Sequence, residues 1–184
     1  MLASPFKSLS RKAEKKTSIT LLVLIVILIT VMRYFDAPLK NNISTSGIIS
    51  FELAKDIDQS KAILNSWDAV SKTSAGMSMG LDFLFLIVYS LFISLLIHKL
   101  NVKLWKGSLI YNVGTLLILG VFLAAFFDVI ENIALIKLLL GDLQQKWSSI
   151  AYYFAIAKFI LLAIGILFIL INSVQLIIKK IIVK

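Results

Sequence analysis

Residues 114–132 read GTLLILGVFLAAFFDVIEN. Nothing from Gly114 to Phe127 is charged, and the run is apolar on every helical face rather than on one stripe. A surface helix of a soluble protein keeps a polar face, so a run apolar all round is a buried or bilayer-spanning helix. Continued back to Ser108 it exceeds the roughly 20 apolar residues that a spanning helix needs. It ends on Asp128, Glu131 and Asn132, which with Leu135 are spaced i, i+3, i+4 and i+7 and so share one face.

Working outward, three more runs of this kind appear, at about 19–32, 77–97 and 150–178 beside 108–127. Two of them carry their own charged residue, Asp82 and Lys158. The chain is 59% hydrophobic and 16% charged over 184 residues, against about 45–50% and about 25% in soluble domains. Four spans and their connections use nearly the whole length, which leaves no room for a separate soluble core. The fold class that follows is an all-α membrane protein, a four-helix transmembrane bundle forming a single domain over 1–184.

The first run follows a basic stretch, Lys7 to Lys16, as a secretory signal would. Ile19–Val31 is nevertheless at the long end for a signal core. Arg33-Tyr34-Phe35-Asp36 stands where a small-residue cleavage site belongs. The run is therefore expected to be retained as the first span. The expected layout is a basic tail over 1–17, spans at 18–33 and 77–98, a connection over 34–75, a third span at 108–140 with an outer extension, a fourth at 149–178, and a tail over 179–184.

The net charge of +9 is uneven. Lys7, Arg11, Lys12, Lys15 and Lys16 lie in the first tail, Lys99, Lys103 and Lys106 between spans two and three, and Lys179, Lys180 and Lys184 in the last tail. These fall on one side of a four-span topology, while charges in the 33–76 segment balance. Lysine and arginine near span ends mark the cytoplasmic side. Both termini are therefore expected in the cytoplasm and the first connection outside. The basic tails are read as topology signals that also attract anionic lipid. Nucleic acid is not an expected partner, because no aromatic residues interleave the charges.

Within the first connection, Pro38, Asn41, Asn42, Ser44, Thr45, Ser46 and Gly47 mark a loop. From about 46 to 67 the pattern becomes helical. Phe51, Ala54, Ile57, Leu64 and Trp67 fall near one face, and Glu52, Lys55, Asp56, Gln59 and Lys61 take the other positions. This predicts one extracytoplasmic amphipathic helix, lying in the membrane interface or covering the bundle as a lid through Phe51, Ile57, Leu64 and Trp67.

At 1.5 Å per residue from the basic side, Arg33 stands about 22 Å up, Asp82 about 24 Å, Asp128 about 30 Å, Lys158 about 31 Å and Glu131 about 34 Å. With a hydrocarbon core about 30 Å thick, all five fall in its outer third or at the outer interface. Asp82, Phe85 and Tyr89 share a face at i, i+3 and i+7. Ionisable groups at such depth face the protein interior and pair there. The expected cluster is Asp82, Asp128, Glu131, Asn132, Lys158, Arg33 and Tyr89, with Lys158 and Arg33 as counter-ions. Three acids against two bases leave one charge to be met by a proton, a cation or a basic ligand.

The cluster has three readings. It fixes helix register as ion pairs, it belongs to a pocket for a lipid-like ligand, a small amphiphile or a partner membrane protein, or it moves ions or protons. The leading functional expectation is a non-enzymatic binding protein embedded in the lipid bilayer. One alternative is a lipid-modifying enzyme with Asp128 or Glu131 as acid and base. Another is a proton- or ion-coupled transporter subunit, which would need a homo-oligomer. The absence of cysteine excludes thiol and Cys-zinc chemistry. The one histidine, His98, lies far from the acids, and no nucleotide-binding or protease motif is present, so neither metal nor cofactor is expected. Small residues that let spanning helices approach closely stand at Gly76/Gly80 and Ala151/Ala155, and at Gly114, Gly120, Ala124 and Ala125 in the third span.

Several of these elements, Phe51-Glu52-Leu53-Ala54, Trp67, Leu81-Asp82-Phe83-Leu84-Phe85, Asp128-x-x-Glu131-Asn132 and Lys158-Phe159, resemble an uncharacterised group of bacterial four-helix inner-membrane proteins. The resemblance covers about residues 50–160. It implies a bacterial source, the four-span topology and residues acting as a unit, and it carries no activity.

Overall fold

The computed structural model describes residues 4–182; Lys184 of the last tail lies outside them. Six α-helices follow one another: α1 (Arg11–Asp36), α2 (Ile48–Glu52), α3 (Ile57–Ser66), α4 (Ala69–Trp105), α5 (Leu109–Leu139) and α6 (Gln145–Ile182). A 3-10 turn at Ala37–Leu39 follows α1. Four helices, α1, α4, α5 and α6, are long and apolar enough to cross a membrane. No strand occurs among the described residues.

The helices α1, α4 and α6 run past the expected 18–33, 77–98 and 149–178 because hydropathy marks the immersed part, whereas the helix continues until something caps it; α5 stays within the expected 108–140. Ser10 accepts a hydrogen bond from the Ala13 amide and starts α1 within the basic tail. Asp68 accepts the Ser71 amide at 2.7 Å and starts α4 eight residues before the apolar run. That amide holds the Asp68 carboxyl below its ordinary range. Gly107 and Gly141 have φ of 93° and 95°, and reverse the chain after α4 and α5.

Consecutive long helices pack side by side, α1 on α4, α4 on α5 and α5 on α6, and α4 also meets α6. α1 is peripheral. Leu21 and Leu28, seven residues apart, pack with Val88 and Leu95 of α4, while Ile19, Leu22, Val26 and Ile27 stay exposed. An exposed all-apolar face on a helix long enough to span belongs against lipid tails.

The residues between α1 and α4 fold over one end of the bundle. Phe51, Ile63, Leu64 and Trp67 join Leu39, Ala75, Met79, Ala134, Leu135 and Leu138 in one buried cluster, with Ile57 packed at its edge. The rings of Phe51 and Trp67 meet edge to face at 5.3 Å, and the indole N–H donates to the Leu39 carbonyl. This end of α5, predicted to protrude, is thus covered by α2 and α3.

The single amphipathic helix expected over 46–67 is corrected to two short helices with a break at Leu53–Asp56. Lys55 adopts φ of 61°, outside the helical region. Gln145 holds the break from α6, accepting the Ile57 amide at 2.9 Å and donating to the Lys55 carbonyl at 3.0 Å. A Ser60–Ser148 hydroxyl bond at 2.8 Å fixes α3 beside it.

The 36–48 turn rests on Asp36. Its carboxylate accepts the Ile48 amide at 2.8 Å and pairs with Lys40 at 3.2 Å. Gly47 lies directly beside it at φ 62°, where a Cβ would overlap the carboxylate. Gly47→Ala is therefore expected to destabilise the protein by about 1–3 kcal/mol, read as a lowered unfolding midpoint in detergent.

The close-approach expectations divide. Ala151 and Ala155 are buried against their neighbours. Gly76 has only ordinary contact with Leu139, and Gly80 faces open space. The tight approaches occur at Gly114, one of the expected positions, where a Cβ would overlap the Asn101 side chain, and at Gly165, which was not among them, where it would meet Val121 at 3.2 Å.

Candidate functional site: a buried charge cluster and its neighbouring cleft

The 3.6-residue repeat sets Asp128, Glu131 and Asn132 on the face of α5 that looks into the bundle, and all three are buried. α4 brings Asp82 and Tyr89, two turns apart. α6 brings Lys158, one turn from the fully buried Ala155. The small residues at Ala124, Ala151 and Ala155 leave room between α5 and α6 for polar side chains.

Lys158 is the hub. Its Nζ lies 2.7 Å from Asp128 Oδ1 and 2.8 Å from Glu131 Oε2. Tyr89 donates its hydroxyl to Asp128 Oδ2 at 2.9 Å. The Asn132 amide donates to Asp82 Oδ2 and, more weakly at 3.5 Å, to Asp128 Oδ1, so it bridges α4 and α5. Phe85 stacks edge-on against Tyr89 at 5.3 Å and backs the cluster with apolar surface.

A fourth carboxylate completes it. Glu52, at the end of α2, reaches to 3.9 Å from Lys158 Nζ and lies against Glu131. The sequence reading put Glu52 on the polar outer positions of one long helix. The break after α2 removes that geometry and turns the side chain inward. The only sequence signal for it was its place in the Phe51-Glu52-Leu53-Ala54 element, one residue from the buried Phe51.

Arg33 is corrected in the opposite sense. It is exposed, and among the described residues it makes no ion pair with Asp82. It lines a separate cleft of about 440 Å³ between α1, the 36–49 connection and α4. Ile29, Met32, Ile48, Ile49 and Phe85 supply the apolar wall, and Arg33, Asp36 and Lys40 supply the charge.

The cluster therefore holds four carboxyl groups, Glu52, Asp82, Asp128 and Glu131, around one ammonium. Uncompensated charge at this depth is expensive, so protons or a cation must balance the excess. Burial, opposed by Lys158 and reinforced by Asp128, raises the Glu52 carboxyl above its ordinary 4.5. A raised acid stays protonated in the folded chain when it has ionised in the unfolded one, so stability falls as pH rises above 4.5. Below that value both states are protonated and the penalty vanishes. Glu52→Gln is expected to flatten this decline, measured as the unfolding midpoint against pH from 4 upward.

Chemically the cluster can share protons among acids and orient one ammonium. Among the described residues no group of three or more His, Asp or Glu side chains is disposed to hold a metal ion. Lys158, Asp128 and Glu131 are closed off from solvent; the neighbouring cleft is open.

The chain matches no protein-family model, no curated protein and no solved structure.

Proposed function

We propose that this protein is a non-enzymatic binding protein of a bacterial inner membrane, with both termini cytoplasmic and α2 and α3 outside. At its outer-leaflet end it holds a lipid-like amphiphile, or docks a partner membrane protein by the same surface. The four spanning-type helices make it an integral membrane protein, and the lysine and arginine bias supports the orientation.

The observation that carries the ligand reading is the open cleft beside the cluster. Its apolar wall continues the exposed apolar surface of α1 at Ile29, while Arg33 and Lys40 stand with a single acid, Asp36, at its polar part. That arrangement suits an acyl chain ending in an anionic group. Small-ligand sites are mostly apolar with a few placed polar groups, and begin at about 300 Å³. The cluster would keep the Phe85 side of this cleft rigid through Tyr89 and Asp128.

Native mass spectrometry of the gently solubilised protein tests the reading. A discrete bound mass, retained in wild type and lost on Arg33→Ala, is the expected result. A clean wild-type particle without ligand would contradict it and favour a partner protein lost on extraction.

The abutting Glu52 and Glu131 carboxyl groups support a second reading, because two acids sharing a proton beside an ammonium suit general acid–base work. In that case Asp128 or Glu131 acts on a lipid and Lys158 tunes its acidity. Asp128→Asn and Glu131→Gln would then abolish lipid turnover while leaving the fold intact. The same proton sharing would serve a transporter subunit, which a strictly monomeric particle would argue against.

A further inference from the structure

The end of the bundle opposite the cluster contains a second and larger cavity, of about 950 Å³. It opens between residues 7–15, the last turns of α4 and the start of α5. Lys7, Arg11, Lys15, Lys99, Lys103 and Lys106 line it, against one acid, Glu14. Leu9, Val102 and Tyr111 add an apolar patch.

A diffuse topology signal would need only exposed lysines on loose tails. Here the walls are built. Ser4 is buried, Phe6 packs on the His98 ring at 5.8 Å, and the Lys7 amide bonds back to the Ser4 carbonyl at 3.1 Å. The N-terminal turn is thereby held against α4. The ammonium of Lys99 donates to Ser18 Oγ at 3.3 Å and is held between α4 and α1. His98 forms part of the cavity, is more than nine-tenths buried, and leaves Nδ1 without a partner among the described residues. Its other nitrogen lies 3.6 Å from Glu14.

Six cations line one concave space against the single carboxylate of Glu14, and a concavity focuses that positive field on an anion that enters it. Lysine and arginine bind phosphate oxygens by charge-assisted hydrogen bonds, which are about twice as strong as neutral ones. The volume exceeds what an inorganic ion needs, and Leu9 and Val102 offer apolar contact to whatever the phosphate carries.

We propose that this cavity is a binding site for a phosphate-bearing anion, with Arg11, Lys99 and Lys103 as its principal ligands. The shared chemistry is the phosphate group, whether on a lipid headgroup of the adjoining leaflet or on a soluble molecule. The site is independent of the cleft at the other end and of any ligand held there.

The test uses the full chain in an uncharged detergent, titrated separately with dioctanoyl phosphatidic acid, dioctanoyl phosphatidylcholine and inorganic phosphate, and read by thermal shift. One-to-one saturable binding is expected for phosphatidic acid or inorganic phosphate. Saturation by the lipid alone assigns a headgroup; saturation by inorganic phosphate as well assigns the bare anion. Arg11→Ala with Lys103→Ala should weaken binding about tenfold or more, as the loss of two charge-assisted contacts. Lys12→Ala with Lys16→Ala removes the same charge from exposed positions off the cavity wall and should leave affinity within about twofold, a difference below roughly 0.5 kcal/mol. Unliganded melting of both variants checks that each is folded. No saturable binding of any probe, or equal losses in the two double variants, would overturn the proposal and leave only diffuse attraction to anionic surfaces.

Discussion

Lys158→Met is expected to lower the stability of the folded protein by about 3–5 kcal/mol, the usual loss when one partner of a buried ion pair is removed. Methionine fills a similar volume, so the loss reports charge rather than a cavity. Nζ is the only cation within 4 Å of Asp128 and Glu131 among the described residues, and it also faces Glu52. Without it, several carboxyl groups from α2 and α5 face each other with Tyr89 and Asn132 as the remaining donors. Lys158→Arg keeps the charge and should recover part of the loss, though the planar guanidinium does not fit a site shaped for an ammonium. Reversible unfolding in detergent measures both variants. A Lys158→Met protein as stable as wild type would mean that the acids are already neutral and the ammonium does little.

Trp67→Ala is expected to cost a similar amount, about 3–5 kcal/mol, through lost burial and the cavity left behind. Trp67 is 2% exposed and sits between Phe51 and the ends of the long helices. Its indole N–H is the donor to the Leu39 carbonyl, so the substitution also orphans a buried acceptor. The damage should concentrate in the segment over the bundle end. Limited proteolysis at Lys55 and Lys61 should accelerate strongly while the spanning helices resist. Unchanged cleavage there would show that the 53–56 break and α3 are held by their polar bonds to α6, through Gln145 and Ser148, rather than by this core.

The four long helices were legible because a bilayer demands long uninterrupted apolar runs, and no other element of a short chain produces them. The meeting of Asp82, Asp128, Asn132, Glu131, Tyr89 and Lys158 was legible for a related reason: charges are rare inside spans, so those present at one height have few alternatives to pairing. Height does not give direction around the helix axis. Arg33 has the right height, but it lies five residues beyond Leu28, about 140° around α1 from the face that meets α4. Glu52 failed for a local reason. The break that turns it inward depends on Lys55 at positive φ, a conformation for which lysine is no signal, and on Gln145, which is 90 residues distant in the chain. The glycine spacing at Gly76 and Gly80 misled because small residues are frequent in membrane helices whether or not anything approaches them. The basic cavity was visible only as charge. The turn that makes Lys7, Arg11 and Lys15 converge with Lys99 and Lys103 is a tertiary fact.

Acids from separate helices, Glu52 of α2 with Asp128 and Glu131 of α5, act as one unit through Lys158. A double-mutant cycle between Asp128→Asn and Lys158→Met, measured by reversible unfolding, tests it most directly. The ion pair at 2.7 Å predicts strong non-additivity. The double variant should be more stable than the sum of the single losses implies, by at least about 1 kcal/mol, because neutralising Asp128 removes a carboxylate that Lys158→Met has left unpaired. Losses that simply add would contradict the account and make these charges independent features of their own helices.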